Sequence, residues 1–316
     1  MFLVCGEALF DLFGEDTSAT SLSFDARIGG SPYNVALGLA RLEEDAAFFG
    51  GISRDVLGEK LVAKLADEGV SGQHILRIDY LTTLSIVQKN EDGVPAYTFY
   101  GDNAADRMVT SDDLPDFAGT PPEFIHIGSY TALVEPVSQA YRALIERERT
   151  SCLIAFDPNI RPTVVSDMKT WRRNTESLVP LCDVIKVSDE DLDLIAPGEP
   201  VENVARTWLA KGAKLVVVTK GAEGASAFTM GIEVSIPGIK VKVEDTVGAG
   251  DTFQAALLAG LKTLGITNRP ALAALDEGPL TRLLQLCAQA AAVTCSRRGA
   301  DLPRRAELEK EIASLK

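Results

Sequence analysis

Asp251 follows Gly248-Ala249-Gly250 and opens an apolar run, Thr252-Phe253-Gln254-Ala255-Ala256-Leu257-Leu258. Two glycines around an alanine let the backbone turn tightly and gather its N–H groups. A helix opening at Gly250 or Asp251 would add unpaired amides and the positive end of its dipole. Together these make a cradle for an anion such as a phosphate. A carboxylate repels phosphate, so Asp251 is out of place if the loop only holds one. It fits if Asp251 takes the proton from a hydroxyl that attacks the phosphate. The bland alternative is an ordinary helix cap, and a short motif standing alone favours it.

The second stretch with chemical content is Gly29-Gly30-Ser31-Pro32-Tyr33-Asn34. Gly29-Gly30 makes a turn, Ser31 is a good N-cap, and Pro32 suits the first helical position. Val35, Leu39 and Leu42 then recur at helical spacing. Asn34 lies off that stripe in the first turn. Its amide both donates and accepts, as recognition of sugar hydroxyls requires; the plain reading is an exposed helix residue. Further candidates follow apolar runs: Asp11, the Asp157/Arg161 pair, Ser188–Asp191 and Thr219–Gly224. Each has a structural alternative: a turn carboxylate, an ion pair of Arg161 with Asp157, a surface helix acid at Asp191, and a tight turn.

Those runs imply the elements that position them. Strands are expected at Phe2–Cys5, Ala46–Gly50, Phe124–Ile127, Cys152–Phe156, Val184–Val187 and Leu215–Thr219. Helices are expected at Val56–Leu65, Val137–Glu146, Val201–Ala210 and residues 278–297, the last closed by Gly299. Alternating strands and helices predict a mostly parallel sheet covered on both faces, with ligands at the carboxyl ends of the strands. Thr82–Gln88 and Ala96–Tyr100, separated by the turn sequence Asn90–Gly93, read as an antiparallel hairpin. With Phe24–Ile28 they predict a small separate sheet, a candidate lid. The boundaries that follow are residues 1–10, 31–80 and 103–316 for the main α/β domain, and 11–30 and 81–102 for the lid.

Bulk properties narrow the chemistry. The chain has 316 residues and a formal charge of −14, with a pI near 4.7. That disfavours nucleic acid and anionic membranes as partners. No apolar run approaches the ~18 residues of a membrane span, and the start lacks a basic leader. The 5 cysteines contain no C-x-x-C pair, pointing to reduced thiols in the cytoplasm. With only 2 histidines, a His-cluster metal site and a Ser-His-Asp triad are both disfavoured. Carboxylates, amides and cations must carry any catalysis. A P-loop is excluded because no Gly-Lys dipeptide occurs. A dinucleotide fingerprint is disfavoured too: Phe253 stands where the third glycine belongs, and the segment lies near the C-terminus.

GGSPYNVALGLARL near the start and DTVGAGDTF near the end, in that order and separation, resemble the two signatures of the PfkB, or ribokinase-like, carbohydrate kinase family. The stretches GEALFDLF, YTFY with NAADR, FDPNIRP before Trp171, and KVSDED are most similar to its bacterial fructokinase branch. The resemblance implies a three-layer α/β/α fold with a β-sheet lid, and transfer of the γ-phosphoryl of ATP to a hexose hydroxyl, fructose foremost. Ketodeoxygluconate, or another sugar of the family, is the alternative acceptor. It implies Asp251 as base within the Gly248, Ala249 and Gly250 cradle. Asp11, Gly29, Gly30, Asn34, Tyr97, Phe99 and Arg161 would face the sugar. Lys186, Ser188, Thr219, Gly221 and Gly224 would face the nucleotide. Asp191 stands where the family has a magnesium-associated Glu, and Asp245 where relatives bind a monovalent cation such as K+. A homodimer through the lid is the expected assembly. A sugar- or nucleotide-sensing protein that kept the fold is the non-catalytic alternative; it would be expected to lose Asp251 or the glycines, which are present.

Overall fold

The computed structural model describes residues 1–18, 20–89 and 95–315, with side chains left undescribed at 15–18, 88–89 and 95–97. The Asn90–Gly93 turn therefore lies outside the described residues. Nine strands form the large sheet: β1 (Phe2–Cys5), β4 (Ala46–Ser53), β5 (Ile75–Ile78), β8 (Phe124–Gly128), β9 (Leu153–Asp157), β10 (Val184–Ser188), β11 (Leu215–Thr219), β12 (Ala225–Phe228) and β13 (Glu233–Ile236). Their order is β13-β12-β11-β10-β9-β8-β1-β4-β5. Every pair from β11 to β5 is parallel, and β12 and β13 close one edge antiparallel. The expected parallel sheet is present; the sequence reading missed β5, β12 and β13, which are short and weakly patterned.

The remaining strands build a second sheet in the order β3-β2-β6-β7, comprising β2 (Leu9–Ser18), β3 (Ser21–Gly29), β6 (Thr83–Lys89) and β7 (Pro95–Tyr100). The expected hairpin is the antiparallel pair β6–β7. β2, unread as a strand in the sequence, pairs with both β3 and β6.

Ten helices cover the large sheet: α1 (Ser31–Arg41), α2 (Val56–Asp67), α3 (Val137–Glu148), α4 (Met168–Leu178), α5 (Asp189–Ile195), α6 (Val201–Lys211), α7 (Ala249–Thr263), α8 (Arg269–Ala273), α9 (Glu277–Cys295) and α10 (Glu309–Leu315) among the described residues. Side chains of β1 alternate between two cores, as a strand buried on both faces must. Phe2 and Val4 pack with α1, α2, α7 and α9, while Leu3 and Cys5 pack with α3, α4 and α6. The result is three layers. Two helix ends differ from the sequence reading. Gly30, with φ 110°, is the N-cap of α1, so Ser31 and Pro32 sit one position further in. α9 stops at Cys295, and Gly299 turns in the loop beyond it with φ 73°.

Candidate active site

α7 begins at the cradle. Gly248 is its N-cap in the left-handed region, φ 79°, and a Cβ there would also meet Ala300 Cβ at 2.7 Å. Both constraints demand glycine. The amide of Ala249 is taken by Thr246 O at 3.2 Å. That leaves the first-turn amides of Gly250 and Asp251 as the cradle's donors, since such groups have no acceptor within the helix. Lys186 lies against them: a Cβ on Gly250 would stand 3.2 Å from its Nζ.

Asp251 is held rather than solvated. Ser31 Oγ donates to its Oδ1 at 2.7 Å, and Asn34 Nδ2 donates to its Oδ2 at 2.8 Å, from residues 220 and 217 positions away in the chain. Asn34 is 5% exposed, so the plain reading of it as an exposed helix residue is wrong. Burial pushes the Asp251 carboxyl up; Asn34, Ser31 and Lys186 pull it back, and Asp157 pushes it further up. Asp11 shares the field. Burial raises its carboxyl, while Ser85 and Arg161 lower it and Asp251 raises it again. A Cβ on Gly29 would fall 2.3 Å from Asp11 Oδ2, so the turn before α1 lies directly under that carboxylate.

The parallel strands deliver the other groups at their carboxyl ends, where a ligand crevice forms. Asp157 ends β9, Ser188 ends β10, and Thr219 ends β11 beside Ser188. Asp157 Oδ2 accepts from Lys186 Nζ at 2.6 Å, so the ion pair that Asp157 makes is with Lys186 rather than Arg161. Arg161 Nη1 donates to its neighbour Ile160 O at 3.0 Å, and no ion pair is recorded for it among the described residues. Asp191 is 8% exposed, not a surface acid, and its Oδ1 accepts Ile160 N at 3.0 Å. Burial raises its carboxyl, Asp157 adds to the rise, and Arg161 opposes it. Ser188 Oγ accepts Asp191 N at 3.0 Å as the cap of α5.

Other expected residues sit apart from this cluster or act structurally. Gly221 and Gly224 turn with φ 51° and 106°, closed by Lys220 N on Gly224 O at 2.8 Å. Asp245 ties two loops together: Val247 N reaches Oδ1 at 3.1 Å and Gly299 N reaches Oδ2 at 2.8 Å. Phe99 packs edge-on to Tyr130 with ring centres 6.0 Å apart. Tyr97 lies in β7, but its side chain is outside the described residues. Among the described residues no group of three or more His, Cys, Asp and Glu forms a metal cluster.

The sequence reading missed Glu7 as a functional residue. Its side chain is 1% exposed, and it accepts Ser31 N at 3.3 Å and Thr131 Oγ1 at 2.9 Å. The available signal was an acid two residues beyond the wholly apolar strand β1. Ser31 was read as a cap, and its type gave no hint of a partner in α7. Also unread were Ile239, Val241 and Val243, exposed apolar residues leading into the cradle loop.

A family profile described as pfkB family carbohydrate kinase matches residues 1–307. The fructokinase of Rhizobium leguminosarum bv. trifolii is 40% identical over 280 residues, covering 89% of this chain and 85% of that one. The Escherichia coli fructokinase is 31% identical, covering 98% of each. Among solved structures, fructokinase from Xylella fastidiosa with bound ATP superposes with a TM-score of 0.87 at 25% identity, over 99% of this chain and 98% of that one. The Vibrio cholerae O395 fructokinase in its fructose, ADP and calcium ion bound form gives 0.82 at 28% identity, over 98% of each.

Proposed function

The chain belongs to the pfkB family of carbohydrate kinases, and on that premise we propose that it transfers the γ-phosphoryl of ATP to a primary hydroxyl of D-fructose. One observation carries the reading: a buried carboxylate, Asp251, is fixed by Ser31 and Asn34 at the amide-rich start of α7. The hydroxyl proton passes to Asp251 as the hydroxyl oxygen bonds to the γ-phosphorus, and the bond from that phosphorus to the bridging oxygen breaks to release ADP. A positioned base contributes typically ~10²–10⁴ in rate. The Gly250 and Asp251 amides and Lys186 stand where charge on the transferring group develops. Gly248 and Gly30 supply the two turns, while Asp11, Asn34 and Arg161 address the sugar, with Phe99 over it. Ser188, Thr219, Gly221 and Gly224 line the path of the nucleotide, and the exposed Ile239, Val241 and Val243 offer its base an apolar bed.

Magnesium accompanies ATP in this reading. Asp157 Oδ1 is buried with no partner among the described residues, and Asp191 is a buried carboxylate near it. Oxygen donors of this kind suit a hard cation that keeps several waters and takes phosphate oxygens for the rest. When bound it neutralises charge on the phosphates. Asp245 braces a loop that in this reading shapes a K+ site from backbone carbonyls. Residues 11–30 and 81–102 act as the lid of the main domain. Leu22 and Phe24, exposed on its edge strand β3, suit a homodimer. No helix among the described residues is long and apolar enough to cross a membrane, and a cytoplasmic site of action is proposed.

The test is ATP consumption over a panel of sugars, sugar acids and nucleosides, run with Asp251→Asn in parallel. Fructose turnover that disappears in the variant supports the reading. Preference for ketodeoxygluconate moves the substrate to a sugar acid, a reading favoured by an Arg161 guanidinium that makes no ion pair among the described residues. An active Asp251→Asn refutes the base.

A further inference from the structure

Being buried does not aim a carboxylate. The terminal torsion of an aspartate is broad, so its hydrogen bonds decide where its oxygens point. Asn34 and Ser31 each supply one donor, one to each oxygen of Asp251. Ser31 is unusual among the two. As a serine in the first turn of a helix it would commonly satisfy a local backbone amide. No side-chain cap bond is made at the start of α1, and the hydroxyl is spent on the neighbouring helix α7 instead.

Ser31 is itself held from behind. Its backbone N–H donates to Glu7 Oε1 at 3.3 Å, and Glu7 Oε2 accepts Thr131 Oγ1 at 2.9 Å. The Gly30 turn rests on the same residue: a Cβ at Gly30 would meet Glu7 O at 2.6 Å. The end of β1, the start of α1 and the loop after β8 are therefore locked through one buried carboxyl. The line runs Thr131, Glu7, Ser31, Asp251.

We propose that Ser31 is a positioning residue for Asp251, setting which oxygen faces the crevice, and that Glu7 fixes Ser31 for that task. The proposal rests on Asp251 being the base. A donor on the ionised form of a carboxyl lowers its proton affinity, so removing Ser31's hydroxyl raises it. The charged groups that face Asp251 from the other elements are Lys186 on β10, Asp157 on β9 and Asp11 on β2; they stay in place in a Ser31 variant.

The experiment is steady-state kinetics against pH on the full chain with fructose and MgATP, for Ser31→Ala, Ser31→Thr, Glu7→Gln, Glu7→Ala and Asp251→Asn. Ser31→Ala is expected to lower kcat roughly tenfold, the scale of one charge-assisted hydrogen bond. KM for sugar and for ATP should change less than about twofold, and the acidic limb of kcat/KM should move to higher pH. Ser31→Thr restores the hydroxyl and recovers kcat. Glu7→Gln keeps an acceptor for the Ser31 amide and stays near wild type, while Glu7→Ala falls with Ser31→Ala. A Ser31→Ala enzyme with wild-type kcat and an unmoved limb overturns the proposal. So does a rise in sugar KM at constant kcat, which would make Ser31 a sugar contact. The Ser31 pair decides the matter even where Glu7→Ala does not fold. An active Asp251→Asn would instead remove the base reading itself.

Discussion

Lys186 Nζ stands 2.6 Å from Asp157 Oδ2 on the neighbouring parallel strand, with side chains 5% and 1% exposed. Taking both charges out of water costs about what their attraction returns, so such a pair is poor evidence of a stability device. Its placement argues for function. The ammonium abuts the Gly250 cradle, and the second Asp157 oxygen has no partner among the described residues. A fixed cation beside amide donors stabilises charge that grows on a transferring phosphoryl group.

Lys186→Met is expected to lower kcat on the order of 10²-fold. It also strands the Asp157 charge, destabilising the fold by about 3 kcal/mol. Pairing it with Asp157→Asn should restore the unfolding midpoint and leave kcat low. Thermal unfolding and initial rates on the two variants separate these effects. A double variant that regains activity along with stability would make the pair structural only.

Asp251 gives the second prediction. Burial raises its carboxyl, and the donors Asn34 and Ser31 together with the charge of Lys186 recover only part of that. The base works ionised, so the rate rises with pH through its folded pKa. The acidic limb of kcat/KM should therefore lie above the ordinary aspartate value of ~4. In Asp251→Asn the limb should vanish and kcat fall by about 10²–10⁴, with ATP affinity by calorimetry largely kept. A limb at the ordinary value would place the titration elsewhere.

Much of this was legible in the sequence, for a definable reason. Gly-Ala-Gly-Asp, the Gly-Gly turn and the apolar strands each encode a local backbone need, and local needs show in residue type and spacing. Asp251, Asn34, Asp11 and Arg161 could thus be singled out. What could not be read is which of them touch. Ser31 meets Asp251 only because α1 and α7 pack side by side on one face of the sheet, and nothing in Gly-Gly-Ser-Pro announces that. Arg161 was the only partner for Asp157 that the sequence suggested; the strand register, which puts Lys186 on the neighbouring β10, makes Lys186 the partner instead. β2 went unread because its glycine and acids, Gly14, Glu15 and Asp16, interrupt the alternation in its outer half.

Glu7 links the site to stability. Burial raises its carboxyl from 4.5 to about 7, against the pull of its own backbone amide, Ser129 and Thr131, with Asp106 raising it further. A raised folded pKa means the native state holds a proton the unfolded chain releases. The stabilisation is complete below the unfolded value of 4.5 and is lost as pH rises through about 7. At ~1.4 kcal/mol per pKa unit the loss is roughly 3 kcal/mol. Glu7→Gln cannot ionise and escapes it. Urea unfolding should show wild type and Glu7→Gln alike near pH 4.5, with the variant ahead by roughly that amount at about pH 8. Parallel stability curves would mean that Glu7 titrates as an ordinary acid.

Arg161 offers a test of the proposed substrate. Among the described residues its guanidinium makes one bond, to the adjacent Ile160 carbonyl, and its charge acts on Asp11 and Asp191. For a neutral hexose it serves as a hydrogen-bond donor to hydroxyls, a role that lysine fills in part. For a sugar acid it serves as a planar fork on a carboxylate, which lysine does not reproduce. With fructose, Arg161→Lys is expected to raise KM less than about tenfold, and Arg161→Ala about tenfold or more, at nearly constant kcat. With ketodeoxygluconate, both variants should lose roughly a hundredfold in kcat/KM if that acid is the true acceptor. The discriminating measurement is kcat/KM for both sugars across the three proteins. Equal, small losses for the two substrates would remove Arg161 from the sugar site altogether.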